Sequence, residues 1–102
     1  MKVVITRQGE TCLEEICTYL EQTFYQEYRC RFEQRFIETL HALAENPHMG
    51  REAFPEIRRP EYRKILCSSS NYWIYYRITQ DVLAILSIRH TRMNVKPFRD
   101  LE

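Results

Sequence analysis

Two glycines and four prolines in 102 residues leave little room for a linker, and no biased tract suggests disorder. No segment approaches the roughly 18 consecutive apolar residues of a membrane span. The apolar run in "MKVVITRQGE" is too short for the core of a signal peptide. The four cysteines, Cys12, Cys17, Cys30 and Cys67, form no CxxC pair and have no histidine at metal-ligand spacing. No metal and no cofactor are expected. A reduced cytoplasmic chain with inert, buried thiols is the default expectation, with a Cys12–Cys30 or Cys17–Cys30 disulfide as the alternative. No internal repeat occurs.

What is present is ordinary for a globular domain: 44% apolar and 28% charged residues, enough for one modest core. The net charge of +1 is unevenly spread. Residues 1–45 carry five basic against eight acidic side chains, a net −3; residues 46–102 carry ten against six, a net +4. A phosphate-bearing partner should therefore meet the second half. A protein living on nucleic-acid backbone alone would usually be more basic.

"KVVIT", residues 2–6, is β-branched and reads as a strand. "TCLEE" opens a helix, with Thr11 as its cap and Glu14 completing a capping box. Leu13, Ile16, Cys17, Leu20 and Phe24 follow at helical spacing. After a break near Tyr28, a second helix puts Phe32, Phe36, Ile37, Leu40, Leu43 and Ala44 on one face, and Asn46-Pro47 ends it. Residues 48–62, with a glycine and two prolines, read as a surface loop. "YRKILC", "YWIYYRIT" and "VLAILSIRH" are three strands in sequence, turning at residues 68–71 and at Gln80-Asp81. The order β-α-α-β-β-β predicts an α+β domain, a helical hairpin packed on a small, mainly antiparallel sheet that the first strand joins at an edge.

If Thr79 faces Val82 across a two-residue turn, alternation sorts the last hairpin into two faces. Tyr72, Ile74, Tyr76, Ile78, Leu83, Ile85, Ser87 and Arg89 would share the face beneath the helices. Trp73, Tyr75, Arg77, Ala84, Leu86, Ile88 and His90 would share the other, with Arg92 about 7 Å beyond His90 if the strand continues. This second, basic and aromatic face is the expected working surface. A plainer reading stands beside it: a structural histidine, rim arginines, and Trp73 with Tyr75 in a minor core beneath the C-terminal tail.

The motifs in this order resemble the ParE/RelE superfamily of bacterial toxins. Leu43, Asn46, Pro47 and Gly50 match its helix ending "L…NP..G"; Arg63 and Leu66 match its "R.L" strand. Tyr72, Ile74 and Tyr76 match "YRI.Y", and Ile85, His90 and Arg92 match the closing "I..v.H.R". The resemblance covers nearly the whole chain. It implies a cytoplasmic toxin of a type II toxin–antitoxin module, silenced by a cognate antitoxin.

RelE-like members cut mRNA on the ribosome, and ParE-like members poison DNA gyrase. For the nuclease, Arg63, Lys64 and Arg92 would hold phosphate and His90 would supply the base or acid. That set is incomplete here: Trp73 stands where the family's "YRI" strand has arginine, and the tail "VKPFRDLE" has no tyrosine. The ParE-like branch is therefore favoured. Trp73, Arg77, Arg89, His90, Arg92, Lys96 and Arg99 would then meet the target, with His90 a structural neighbour. Residues 93–102 read as a flexible or partner-binding tail to the single domain. Tyr19, Tyr25 and Tyr28, partly off the buried stripe, are the candidate antitoxin contacts. A family member that keeps only antitoxin binding is the third reading. The final Leu101-Glu102 is given no role.

Overall fold

The β-branched start of the chain forms strand β1, Lys2–Ile5, which lies parallel to the last strand, β5, Val82–His90. Between β1 and the rest of the sheet come helices α1, Arg7–Thr23, and α2, Gln26–Glu45. Strands β2, Arg51–Glu52, β3, Tyr62–Leu66, and β4, Tyr72–Ile78, complete a five-stranded sheet of order β1-β5-β4-β3-β2. Every neighbouring pair except β1–β5 is antiparallel. The computed structural model describes residues 1–96, so the target contact expected at Arg99 lies outside the described residues. The α+β architecture and the edge position of β1 are as the residue pattern predicts.

Helix α1 begins five residues earlier than expected. Thr6, not Thr11, is its cap: the Thr6 hydroxyl accepts from the Gly9 N–H at 3.1 Å and donates to the Ile85 carbonyl at 2.8 Å. Thr11 is inside the helix, its hydroxyl bonded back to the Arg7 carbonyl. Thr6 wins because one hydroxyl both caps α1 and ties it to β5. The break between helices is at Phe24-Tyr25 rather than near Tyr28. As expected, α2 stops at Asn46-Pro47. Arg29 of α2 reaches Glu14 and Glu21 of α1 at 3.3 and 2.9 Å, and Glu33 one turn on at 3.4 Å, pinning the hairpin.

The main core lies between helices and sheet, where Cys17, Phe32, Phe36 and Leu43 meet Ile74, Tyr76, Leu83, Ile85 and Ile88. Helices cover one face of a sheet only, so Tyr62, Tyr75 and Leu86 need cover on the other. Part of the segment expected to be surface loop supplies it. Ala53 and Phe54 are buried, and the Phe54 ring stacks on Tyr75 with centroids 6.0 Å apart. Val95 joins this second core, as the plainer reading of Tyr75 anticipates.

The four thiols are free, and they are not alike: Cys12, Cys17 and Cys67 are buried and Cys30 is exposed. Burial, reinforced by Glu33, pushes the Cys17 thiol up to about 11, and burial raises that of Cys67. A thiol reagent at neutral pH should modify Cys30 first, with the other three reacting roughly a hundredfold more slowly, through opening of the fold. Mass spectrometry of the labelled protein before and after denaturant checks this; rapid native labelling of Cys17 would contradict the packing described.

Candidate interaction surfaces

Strand β5 decides which residues share a face. The β4–β5 pairing runs from Ile78–Leu83 to Tyr76–Ile85 and resumes at Tyr75–Ser87, leaving Leu86 as an extra residue. This β-bulge changes the alternation beyond it. Ile88 therefore joins the helix-side core, and His90 sits opposite Tyr72 with the two rings edge-to-face at 5.4 Å. The expectation that His90 shares a face with Trp73 and Tyr75 is thus corrected. Arg89, assigned to the helix side, instead lies opposite Trp73. Strand β5 ends at His90, and exposed Arg92 is in the following turn, where its N–H donates to His90 Nδ1 at 3.1 Å. With Nδ1 accepting, a neutral His90 carries its proton on Nε2.

On the outer face, Trp73 is the centre of a basic cluster. Arg51 of β2 and Lys64 of β3 are directly paired, and both cations lie over the indole, 4.6 and 4.7 Å from its ring centroid. Lys64 also lies 5.8 Å from the Tyr75 ring. Burial, then the field of Arg51, lowers the Lys64 ammonium below its ordinary value, with Glu56 opposing. Arg89, the β5 partner of Trp73, donates from Nε to the Ser87 hydroxyl at 2.6 Å, and that hydroxyl also lies 3.5 Å from Cys12 Sγ of α1. Arg77 packs toward Tyr62, its guanidinium 5.9 Å from that ring. Lys96 is exposed in the segment after β5.

Arg63 is committed elsewhere. Its Nε donates to the Gly50 carbonyl at 3.1 Å and Nη2 to the Gly50 and His48 carbonyls, so it clamps the α2–β2 connection. Arg63 lies opposite Tyr76 and His90 opposite Tyr72, about 13 Å apart along β4. Lys64, on the outer face, is separated from His90 by the sheet itself.

The expected antitoxin residues fall together. Tyr19, Tyr25 and Tyr28 surround Phe24 at the tip of the helical hairpin: Phe24 meets Tyr19 at 6.3 Å and Tyr28 at 5.2 Å, and Tyr25 stacks on Tyr28 at 6.2 Å. All four are exposed, Tyr25 most at 68%. Tyr19, Phe24 and Tyr28 line a groove of about 400 Å³ between the hairpin tip and the β3–β4 turn, into which Arg31, Arg35 and His90 also face. Phe24, expected on the buried stripe of α1, instead stands exposed just past the end of that helix, and Arg51, Arg31 and Arg35 were not singled out by the sequence. Arg51 becomes visible only once β2 pairs with β3, and nothing local in "GRE" announces that pairing.

The family model described as "ParE toxin of type II toxin-antitoxin system, parDE" matches residues 3–95. Toxin ParE1 of Caulobacter vibrioides is 29% identical over 92 residues, spanning 90% of this chain and 91% of that protein. A solved structure described as a chromosomal ParDE TA system from P. aeruginosa superposes with a TM-score of 0.73 at 19% identity, covering 88% of this chain and 95% of the other. With a family model covering nearly its whole length, this chain belongs to the ParE toxin family of type II toxin–antitoxin systems.

Proposed function

We propose that this toxin inhibits DNA gyrase by binding it, in the cytoplasm, and is neutralised by a cognate antitoxin. The observation that supports binding over RNA cleavage is the dispersal of the nuclease candidates. Cleavage by a 2′-hydroxyl needs a base, an acid and phosphate cations around one scissile bond. Here Arg63 is spent on backbone carbonyls, Lys64 lies on Trp73, and His90 is on the opposite face of the sheet. No single phosphate can be reached by all three.

In this reading Trp73, Arg77, Arg89, Arg92, Lys96 and Arg99 contribute to the gyrase contact, and residues 93–102 act as a partner-binding tail. His90 holds the exit of β5. The antitoxin docks on the exposed aromatic tip formed with Tyr19, Tyr25 and Tyr28, where rigid rings offer large contact area.

Gyrase supercoiling with the purified chain is the direct test, scored for loss of supercoiling and accumulation of broken DNA. Inhibition supports the proposal; unimpaired supercoiling at large toxin excess, with ribosome-dependent mRNA cutting, sinks it. The variant His90→Ala should keep growth arrest within about threefold of the parent, because it removes only a ring contact and one backbone hydrogen bond. Complete loss of arrest in a folded His90→Ala protein would restore the nuclease reading.

A further inference from the structure

Like charges placed directly opposite on neighbouring strands repel, and Arg51 with Lys64 is such a pair. Both are held over the Trp73 ring. Among the described residues, neither cation has an acidic partner within ion-pair distance; the four ion pairs found there belong to Arg29 and Arg59. Arg89, opposite Trp73 on β5, brings a third positive side chain to the same rim. Two cations held together with no acidic group in ion-pair contact, Glu56 acting on Lys64 only through its field, make a preformed seat for an anion on a half-buried aromatic support. Burial of Ala53, Phe54 and Tyr75 alongside keeps β2 and β3 rigid beneath it.

We infer that the Arg51–Lys64–Trp73 cluster is a clamp for the phosphodiester backbone of duplex DNA. This rests on the gyrase reading, because the duplex it takes is the one gyrase holds, and it adds DNA to the toxin's contacts. A duplex fits the cluster better than single-stranded RNA. Single-strand sites use open aromatic faces on which bases stack, whereas this indole already carries cations. What the cluster offers outward is positive charge, and backbone phosphate is what a duplex offers in return.

The test compares toxin binding to gyrase alone and to gyrase carrying a short linear duplex. The parent chain should bind the loaded enzyme about tenfold more tightly, as expected of two solvent-screened charge contacts. That increment should fall with salt at a log–log slope of about −2. The double variant Arg51→Gln/Lys64→Gln should lose the increment and keep its affinity for gyrase alone. Arg51→Gln, at an exposed position, should lose part of it without any question of folding.

If the parent bound gyrase in neither state, the gyrase reading would fail by itself. The clamp is then read from free duplex, using the emission of Trp73, the sole tryptophan: a salt-sensitive change present in the parent and absent in the double variant supports it. The clamp is overturned if the double variant binds loaded gyrase or free duplex as the parent does, or if single-stranded RNA displaces the duplex.

Discussion

Replacing Gly50 by alanine should lower the unfolding midpoint by roughly 10–20 °C, a loss of about 2–3 kcal/mol for a domain of this size. A Cβ at this position would stand 2.5 Å from the Tyr76 hydroxyl and 2.6 Å from the Lys64 carbonyl. Neither can yield cheaply. The Tyr76 side chain is fully buried, and its hydroxyl donates to the Pro47 carbonyl at 2.9 Å and accepts from the Gly50 N–H at 3.1 Å. The Lys64 carbonyl is part of the β3 backbone. The Gly50 carbonyl also receives Arg63, so displacing this residue loosens the whole α2–β2 connection.

Tyr76→Phe separates the steric from the polar part. It should cost about 1–2 kcal/mol by stranding the Pro47 carbonyl and Gly50 N–H. In the Gly50→Ala/Tyr76→Phe double variant the clash with the hydroxyl is gone, so the combined loss should be smaller than the sum of the two. Urea titrations of the four proteins check this. A loss below about 1 kcal/mol for Gly50→Ala would show that the connection adjusts freely.

The second large effect concerns the end of the chain. Truncation after Arg92 should abolish growth arrest, and should raise the toxin concentration needed for half-inhibition of gyrase by tenfold or more, about what two lost interfacial charges cost. The deleted segment includes Val95, which packs against the second core, and Lys96, which is exposed. Two explanations are therefore separable. The full-length variant Lys96→Gln/Arg99→Gln keeps Val95 and removes only charge. If it is as weak as the truncation while its unfolding midpoint is unchanged, the tail acts through contact with the target. If it is fully active and the truncated chain melts early, the tail acts through packing. A truncated chain that still arrests growth would remove the tail from the mechanism altogether.

How far these residues were readable from the sequence depended on the range of the interaction involved. The helix stop at Asn46-Pro47 and the turn at Gln80-Asp81 are set by neighbours in the chain, and both are where the pattern puts them. Thr11 shows the limit of a local rule: it has a capping-box partner, yet Thr6 takes the role through a bond to Ile85, 79 residues away. Ala53-Phe54 between prolines looks like loop until Tyr62 and Tyr75 are known to lack cover. The tyrosines at the hairpin tip were accessible because they fall off the apolar stripe of α1 and α2. Arg51 was not, since its meaning comes from a two-residue strand whose partner is β3.

The extra residue Leu86 has a consequence for reading relatives of this chain. The letters "SIRHTR" are dealt to the two layers of the molecule according to whether one residue is spared from pairing just before them. A relative with the same letters and an unbroken ladder would send its histidine outward and its preceding arginine inward, exchanging a packing residue for an available base. Column-by-column identity at this motif is then compatible with opposite chemistry. Whether a family member can place a histidine beside its outer-face cations is a question of counting residues between the turn and the motif, and only afterwards of which residues they are.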